Sequence, residues 1–247
     1  IDLTNSISSI EDAIIQKIFP GAQLFISKGE DILYNDGIGK MSYAFDAKNV
    51  TENTIYDVAS LTKVLATTPL IMKLVQKKQI GLDFLISDFY PEFLEGDKQY
   101  VTIKHLMTHT SGLRAYNEYY KMFDLNNREK ILKHILNQDL DYFPGEKMVY
   151  SDLGMILLFD IIEKVTNTSF ETLSNRYFYK PLKMKNTSFN PSVNIKNNIA
   201  PTENDVYFRN RLLQGEVHDE NAYLLGGVSG HAGLFTTARD IGKFSKL

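Results

Sequence analysis

Residues 56–75 read YDVASLTKVLATTPLIMKLV, and this stretch decides how the remainder of the chain is understood. Ser60 and Lys63 stand three apart at what reads as the start of a helix, so they share one face and can approach within hydrogen-bonding reach. Val58, Leu61, Val64, Leu65, Leu70, Ile71, Leu74 and Val75 are expected to bury most of the segment around them. A lysine placed there is partly desolvated and close to the positive end of the helix dipole, and both effects disfavour its charged form. It could then take a proton from Ser60 near neutral pH. Taken alone the pattern is unspecific, because average Ser and Lys usage gives roughly one S-x-x-K by chance in a chain of this length. The plain alternative is an N-cap serine followed by a solvated lysine.

Length and composition narrow the classes. A chain of 247 residues can bury a substantial core as one large domain or as two lobes sharing a cleft. With 43% hydrophobic and 23% charged residues it has the composition of a globular protein. The net charge of -3 carries no basic nucleic-acid footprint, and no uninterrupted apolar run is long enough to span a bilayer. There is no cysteine, which removes disulfides, thiolate metal sites and a cysteine nucleophile. The start at Ile1 shows neither a methionine nor a secretory signal pattern, so the natural N-terminus is expected to lie elsewhere. A helix start at Thr236-Thr237-Ala238-Arg239-Asp240 is followed by the last residue, Leu247, barely two turns later, so further polypeptide is expected beyond it.

Periodicity places the elements. Asp2 to Phe19 has isoleucines at helical spacing and is stopped by Pro20-Gly21. Gln23 to Ser27 and Ile32 to Asn35 read as a hairpin around Lys28-Gly29-Glu30-Asp31. Pro69 is expected to kink the Ser60 helix between Leu65 and Pro69. Ile80 to Phe93 is loop-like, whereas Val101 to Met107 is a short helix capped by Thr102 and closed by Thr108-His109-Thr110-Ser111-Gly112. His105 and His109 have metal-ligand spacing, but no H-E-x-x-H pattern completes a zinc site, and a packing or loop-anchoring role is the better reading. Arg128 to Asn137 is amphipathic. Tyr150 and Asp152 then fall on a loop before an apolar helix over Leu153 to Val165, where polar side chains can be aimed into a cleft. By itself Tyr150 reads more readily as a core residue with a satisfied hydroxyl. Ser169 to Phe178 is one more helix, Pro181 to Asp205 a long loop region, and Gly226 to Gly233 (GGVSGHAG) a segment able to pass close to a ligand or simply a tight turn.

In this order the segments resemble the serine hydrolases of the class C β-lactamase and penicillin-binding-protein family, which includes D-Ala carboxypeptidases, D-amino peptidases and esterases. Ser60-Leu61-Thr62-Lys63 matches their S-x-x-K. Tyr150-Ser151-Asp152 after PGEKMV is similar to their Y-x-N, VTIKHLMTHTSGL and GGVSGHAGLFTTARDIGKF match further stretches, and PGAQLFISKGEDILYNDGIGK resembles their opening hairpin. The resemblance implies an α+β, β-lactamase/transpeptidase-like fold: an antiparallel sheet flanked by helices plus an all-helical lobe. The whole of 1–247 would form one catalytic domain, with a sheet lobe of about 1–57 and 205–247, a helical lobe of about 58–204, and the C-terminal strands beyond Leu247.

Carried over residue by residue, the resemblance implies that Ser60 is the acylated nucleophile and that Lys63 and Tyr150 share the general-base role. Asp152 stands where the family has an asparagine that hydrogen-bonds the substrate amide. An ionised carboxylate only accepts, so it would repel anionic substrates and favour a donor such as an amine. His231-Ala232-Gly233 has the letters of the family's third motif, K-x-G or H-x-G, but precedes a helix start. The true triad and one oxyanion-hole donor are therefore expected beyond Leu247, with His231 on the cleft lining. The activity implied is acyl-enzyme hydrolysis of a D-amino-acid peptide, ester or β-lactam outside the cytoplasm, on a small-molecule or peptidoglycan-derived substrate. No cofactor or metal requirement and no nucleic-acid partner is read from the sequence. The rival readings are a non-catalytic or slowly deacylating peptidoglycan- or penicillin-binding module, and one module of a longer multidomain hydrolase.

Overall fold

A computed structural model describes residues 3–247. In chain order the helices are α1 (Thr4–Ile15), α2 (Thr68–Gln76), α3 (Ile103–Met107), α4 (Arg128–Asn137), α5 (Asp152–Thr166), α6 (Phe170–Ser174), α7 (Glu220–Leu224) and α8 (Ala238–Phe244). The strands are β1 (Gly21–Lys28), β2 (Asp31–Gly39), β3 (Tyr56–Asp57), β4 (Ser188–Phe189), β5 (Glu203–Asp205), β6 (Arg211–Leu213) and β7 (Leu234–Thr236). The chain divides into two compact units. The first comprises the described part of Ile1–Val58 with Phe178–His218 and Leu234–Leu247; the second comprises Ala59–Tyr177 and Asp219–Gly233.

The first unit holds the strands. β1 and β2 form the expected hairpin, antiparallel from Gly21↔Gly39 to Lys28↔Asp31, with a bulge between Ile26 and Ser27. Gly29 supplies the positive φ that the tight turn needs. α8 packs on β1 so closely that a Cβ on Gly242 would meet the Phe25 ring at 2.2 Å. Thr237 caps α8 by accepting from the Asp240 N–H. β7 is buried along its length and lies between β3 and β4, antiparallel to both. β5 and β6 form a separate ribbon. The strands thus make three small antiparallel sheets among the described residues instead of one. The first helix is Thr4–Ile15, ending before the expected Phe19, and the Asp2 end of that expectation lies outside the described residues.

The second unit is helical and centres on α5, in which the ten consecutive residues Leu153–Ile162 are buried. No single apolar stripe could achieve that, and neighbours on all sides account for it: α2, α3, α4 and α6 all contact α5. α4 spans the residues read from its amphipathic pattern. The segment after Ser60 departs from expectation. Lys63–Thr67 winds as a π-helix before α2, which places Pro69 in the first turn of the α-helical segment, where its missing N–H breaks nothing. The rotation also changes which face is buried. Leu61 and Val64 are exposed, while Thr62, Lys63, Leu65, Ala66 and Thr67 are buried.

Two long-range features redraw the expected lobes. Residues 178–204 join the first unit, because β4 pairs with β7 and Ile199 bridges Ile55. Residues 219–233 join the second, where Thr67 Oγ1 donates to the Gly230 carbonyl at 2.6 Å and Lys63 to that of His231.

Candidate active site

The site lies within the helical unit. Ser60 begins the turn that leads into the π-helix, and Ala59 before it holds φ +43°. A non-glycine residue in the left-handed region is strained, and such strain clusters at functional positions. Ser60 is exposed, whereas Lys63 is 3% exposed. Lys63 Nζ donates to Ser60 Oγ at 2.9 Å and to the His231 carbonyl at 3.0 Å, and forms an ion pair with Asp152 Oδ1 at 2.7 Å. The Asp152 contact lacks the alignment of a hydrogen bond, since Oδ1 is buried and accepts none. Lys63 Nζ thus lies against Ser60 Oγ with the Asp152 carboxylate and the His231 carbonyl around it.

Tyr150 lies over this group, with the Lys63 ammonium 4.7 Å from its ring centroid. It is half exposed, so it is not the satisfied core tyrosine that an isolated reading allows. Its ring packs on His109 at 4.6 Å between centroids. His109 is itself held in the left-handed region at φ +58°, and its Nδ1 accepts from the Ser151 N–H at 3.1 Å. Burial first, and then the charge of Lys63, push its imidazole below the usual range. A neutral ring fits the acceptor role. Ser151 caps α5 by accepting from the Gly154 N–H, so Asp152 is the first residue of the helix rather than part of a loop. A carboxylate there also complements the helix dipole.

His231, expected on the cleft lining, is 1% exposed with both ring nitrogens engaged. Nδ1 lies 2.8 Å from Ser229 Oγ and Nε2 2.8 Å from Asp219 Oδ1. The carbonyl, not the ring, is the part that meets Lys63. The structure therefore brings Ser60, Lys63, Tyr150, Asp152 and the His231 backbone together. Sequence reasoning did not single out His109 as the partner of Tyr150, nor Asp219 and Ser229 as partners of His231. Asp219 was detectable only as the cap of a short helix, and its pairing with a histidine 12 residues on is a tertiary fact. His105 is occupied by the N–H and hydroxyl of Thr102, and no group of three or more His, Cys, Asp or Glu among the described residues is placed to hold a metal.

Burial alone would raise the Asp219 carboxyl, but the charge and hydrogen bond of His231, with the Ala222 N–H and Lys63, bring it down from 3.8 to about 2. A depressed folded value stabilises the fold above the ordinary carboxylate range. That contribution, roughly 2 kcal/mol, is lost as pH falls from about 4 to about 2. Denaturation curves across that window should show the loss in the natural chain and a flatter profile in Asp219→Asn.

With 100% of its residues aligned, the chain superposes on the octameric penicillin-binding protein homologue from Pyrococcus abyssi with a TM-score of 0.81 at 26% identity, covering 56% of that chain. That likeness establishes the β-lactamase/transpeptidase-like fold. A family model described as Beta-lactamase matches residues 8–247, and the chain belongs to that family. It is 31% identical over 261 residues to a protein of Bacillus subtilis strain 168 named N-acetylmuramyl-L-alanine amidase, covering 90% of this chain and 57% of that one. It is 37% identical over 216 residues to a "Putative D-alanyl-D-alanine carboxypeptidase" of Salmonella agona strain SL483, covering 77% and 50%. The chain spans about half the length of the curated relatives it matches.

Proposed function

We propose that this chain carries the nucleophile of a serine hydrolase that works through an acyl-enzyme on amide or ester carbonyls. The observation that carries the reading is Lys63 Nζ at 2.9 Å from the exposed Ser60 Oγ, in a pocket that also holds Tyr150 and Asp152. Ser60 Oγ attacks the carbonyl carbon, and its proton passes to the Lys63/Tyr150 pair. A protonated Lys63 must first give up a proton before it can accept one, or Tyr150 must accept in its stead. The leaving group takes the proton as the amide or ester bond breaks. Water then hydrolyses the acyl-serine. The names of the relatives, one an N-acetylmuramyl-L-alanine amidase and one a putative D-alanyl-D-alanine carboxypeptidase, support an amide or peptide bond of peptidoglycan as the substrate, met outside the cytoplasm. No helix among the described residues is long and apolar enough to cross a membrane.

The test is intact mass measurement before and after a fluorophosphonate probe, with peptide mapping. An adduct on Ser60 supports the reading, and its absence favours the non-catalytic binding module. Asp152 bears on substrate choice, because its negative charge disfavours an anion at the site. Asp152→Asn is expected to raise turnover of anionic β-lactams by about tenfold, the factor set by removing one charge at several ångströms in a partly solvated cleft. Unchanged or lower turnover would count against the charge argument.

A further inference from the structure

Behind Lys63 lies a buried network that the proposed reaction does not use. Ser229, His231 and Asp219 line up as hydroxyl, imidazole and carboxylate, with 2.8 Å contacts at both ring nitrogens. The letters are those of a catalytic triad, but Ser229 is 0% exposed and cannot meet a substrate. The ionised Asp219 carboxylate only accepts, so Nε2 donates to it, while Nδ1 meets the Ser229 hydroxyl. The ring is thereby fixed at both edges. Its own backbone is the part of the loop that touches the site, through the carbonyl that accepts from Lys63 Nζ at 3.0 Å.

The loop enters through Gly226 and Gly227 and leaves through Gly233, all at positive φ, and such residues give the backbone freedom. Gly230 is anchored from one side, since its carbonyl accepts from Thr67 and a Cβ there would sit 2.2 Å from the Met155 carbonyl oxygen. From Gly230 to Gly233 the His231 side chain supplies the polar anchors. Asp219 ties it in turn to α7, because the same Oδ1 that meets Nε2 accepts the capping N–H of Ala222 at 2.7 Å.

We propose that Asp219 and His231 form a positioning pair that fixes the His231 carbonyl against Lys63, and so sets both the place of the ammonium on Ser60 and the ease with which it gives up a proton. The pair acts through the lysine and touches no substrate. The charged and titratable groups facing Lys63 are Ser60 and Asp152 in contact, the Tyr150 ring, and at longer range His109 and Asp219. Asp219 is thus a second negative charge near the lysine. This inference rests on reading Ser60 as the nucleophile.

The experiment measures fluorophosphonate labelling rates of the full chain from acid to alkaline pH, with thermal melting as a check on folding. Asn is as good a cap as Asp, so Asp219→Asn keeps the Ala222 bond while it removes the charge and weakens the hold on His231 Nε2. It should label about tenfold more slowly at the optimum, and the acid limb of its profile should move down by roughly half a pH unit. His231→Ala should be slowed at least as much. His231→Gln, whose amide nitrogen reaches where Nε2 stood, should recover to within about threefold of the natural chain. A cap with a merely structural role would not move the pH limb. If His231→Ala does not fold, Asp219→Asn decides. Wild-type rate and pH profile in Asp219→Asn would overturn the inference, as would a folded His231→Gln no faster than His231→Ala. No labelling of the natural chain would overturn the nucleophile reading and this inference together, whereas equal labelling of all variants overturns this inference alone.

Discussion

Ser60→Ala is expected to abolish the fluorophosphonate adduct and to lower hydrolysis of an activated ester by a factor on the order of a thousand or more, because no other group in the site can form the acyl bond. Ser60 is exposed, and its Oγ accepts from Lys63 Nζ. Losing it costs the fold little, within the range of about 0.5 kcal/mol for an exposed position. The melting temperature of Ser60→Ala should therefore stay close to that of the natural chain while labelling disappears. Labelling of the variant at an unchanged rate would refute the assignment of the nucleophile. Loss of labelling accompanied by unfolding would contradict the geometry, since Ala is at least as good a helix former as Ser at this turn.

Lys63→Ala has the second large effect, and it acts on stability as well as rate. The Lys63 side chain is 4% exposed and that of Asp152 19%. Removing the lysine leaves a largely buried carboxylate without a counter-charge and the His231 carbonyl without a donor. Breaking such a pair from one side costs about 3 kcal/mol or more. The double variant Lys63→Ala with Asp152→Asn removes both charges and should regain most of that loss, while labelling stays as low as in Lys63→Ala alone. Denaturant melts of the natural chain, the two single variants and the double variant form a cycle whose coupling energy reads the pair. A coupling near zero would mean that the 2.7 Å contact is not an energetic ion pair. Recovery of labelling in the double variant would mean that Lys63 serves only to neutralise Asp152.

Much of this protein was legible from local rules. The hairpin of β1 and β2, the caps of α3 and α8, the span of α4 and the approach of Ser60 to Lys63 all follow from spacing and capping, which act over a few residues. The order of the motifs gave the family and the fold. What could not be read was whatever depends on partners far along the chain. Leu61 and Val64 are as apolar as Leu65, yet they are exposed, because the π-helical winding and the contact of this segment with α5 turn Lys63 inward instead. Lys63 looked like a desolvated lysine facing Ser60 alone; an Asp 89 positions later and a carbonyl 168 positions later also meet its nitrogen. His231 looked like a cleft residue, and its burial depends on Asp219 and Ser229. Sequence by itself determined which residues stand as candidates for the chemistry, because residue type and short-range spacing are local properties. Only the tertiary structure decided what each of them faces, because burial and charge pairing are set by chain segments that local patterning does not connect.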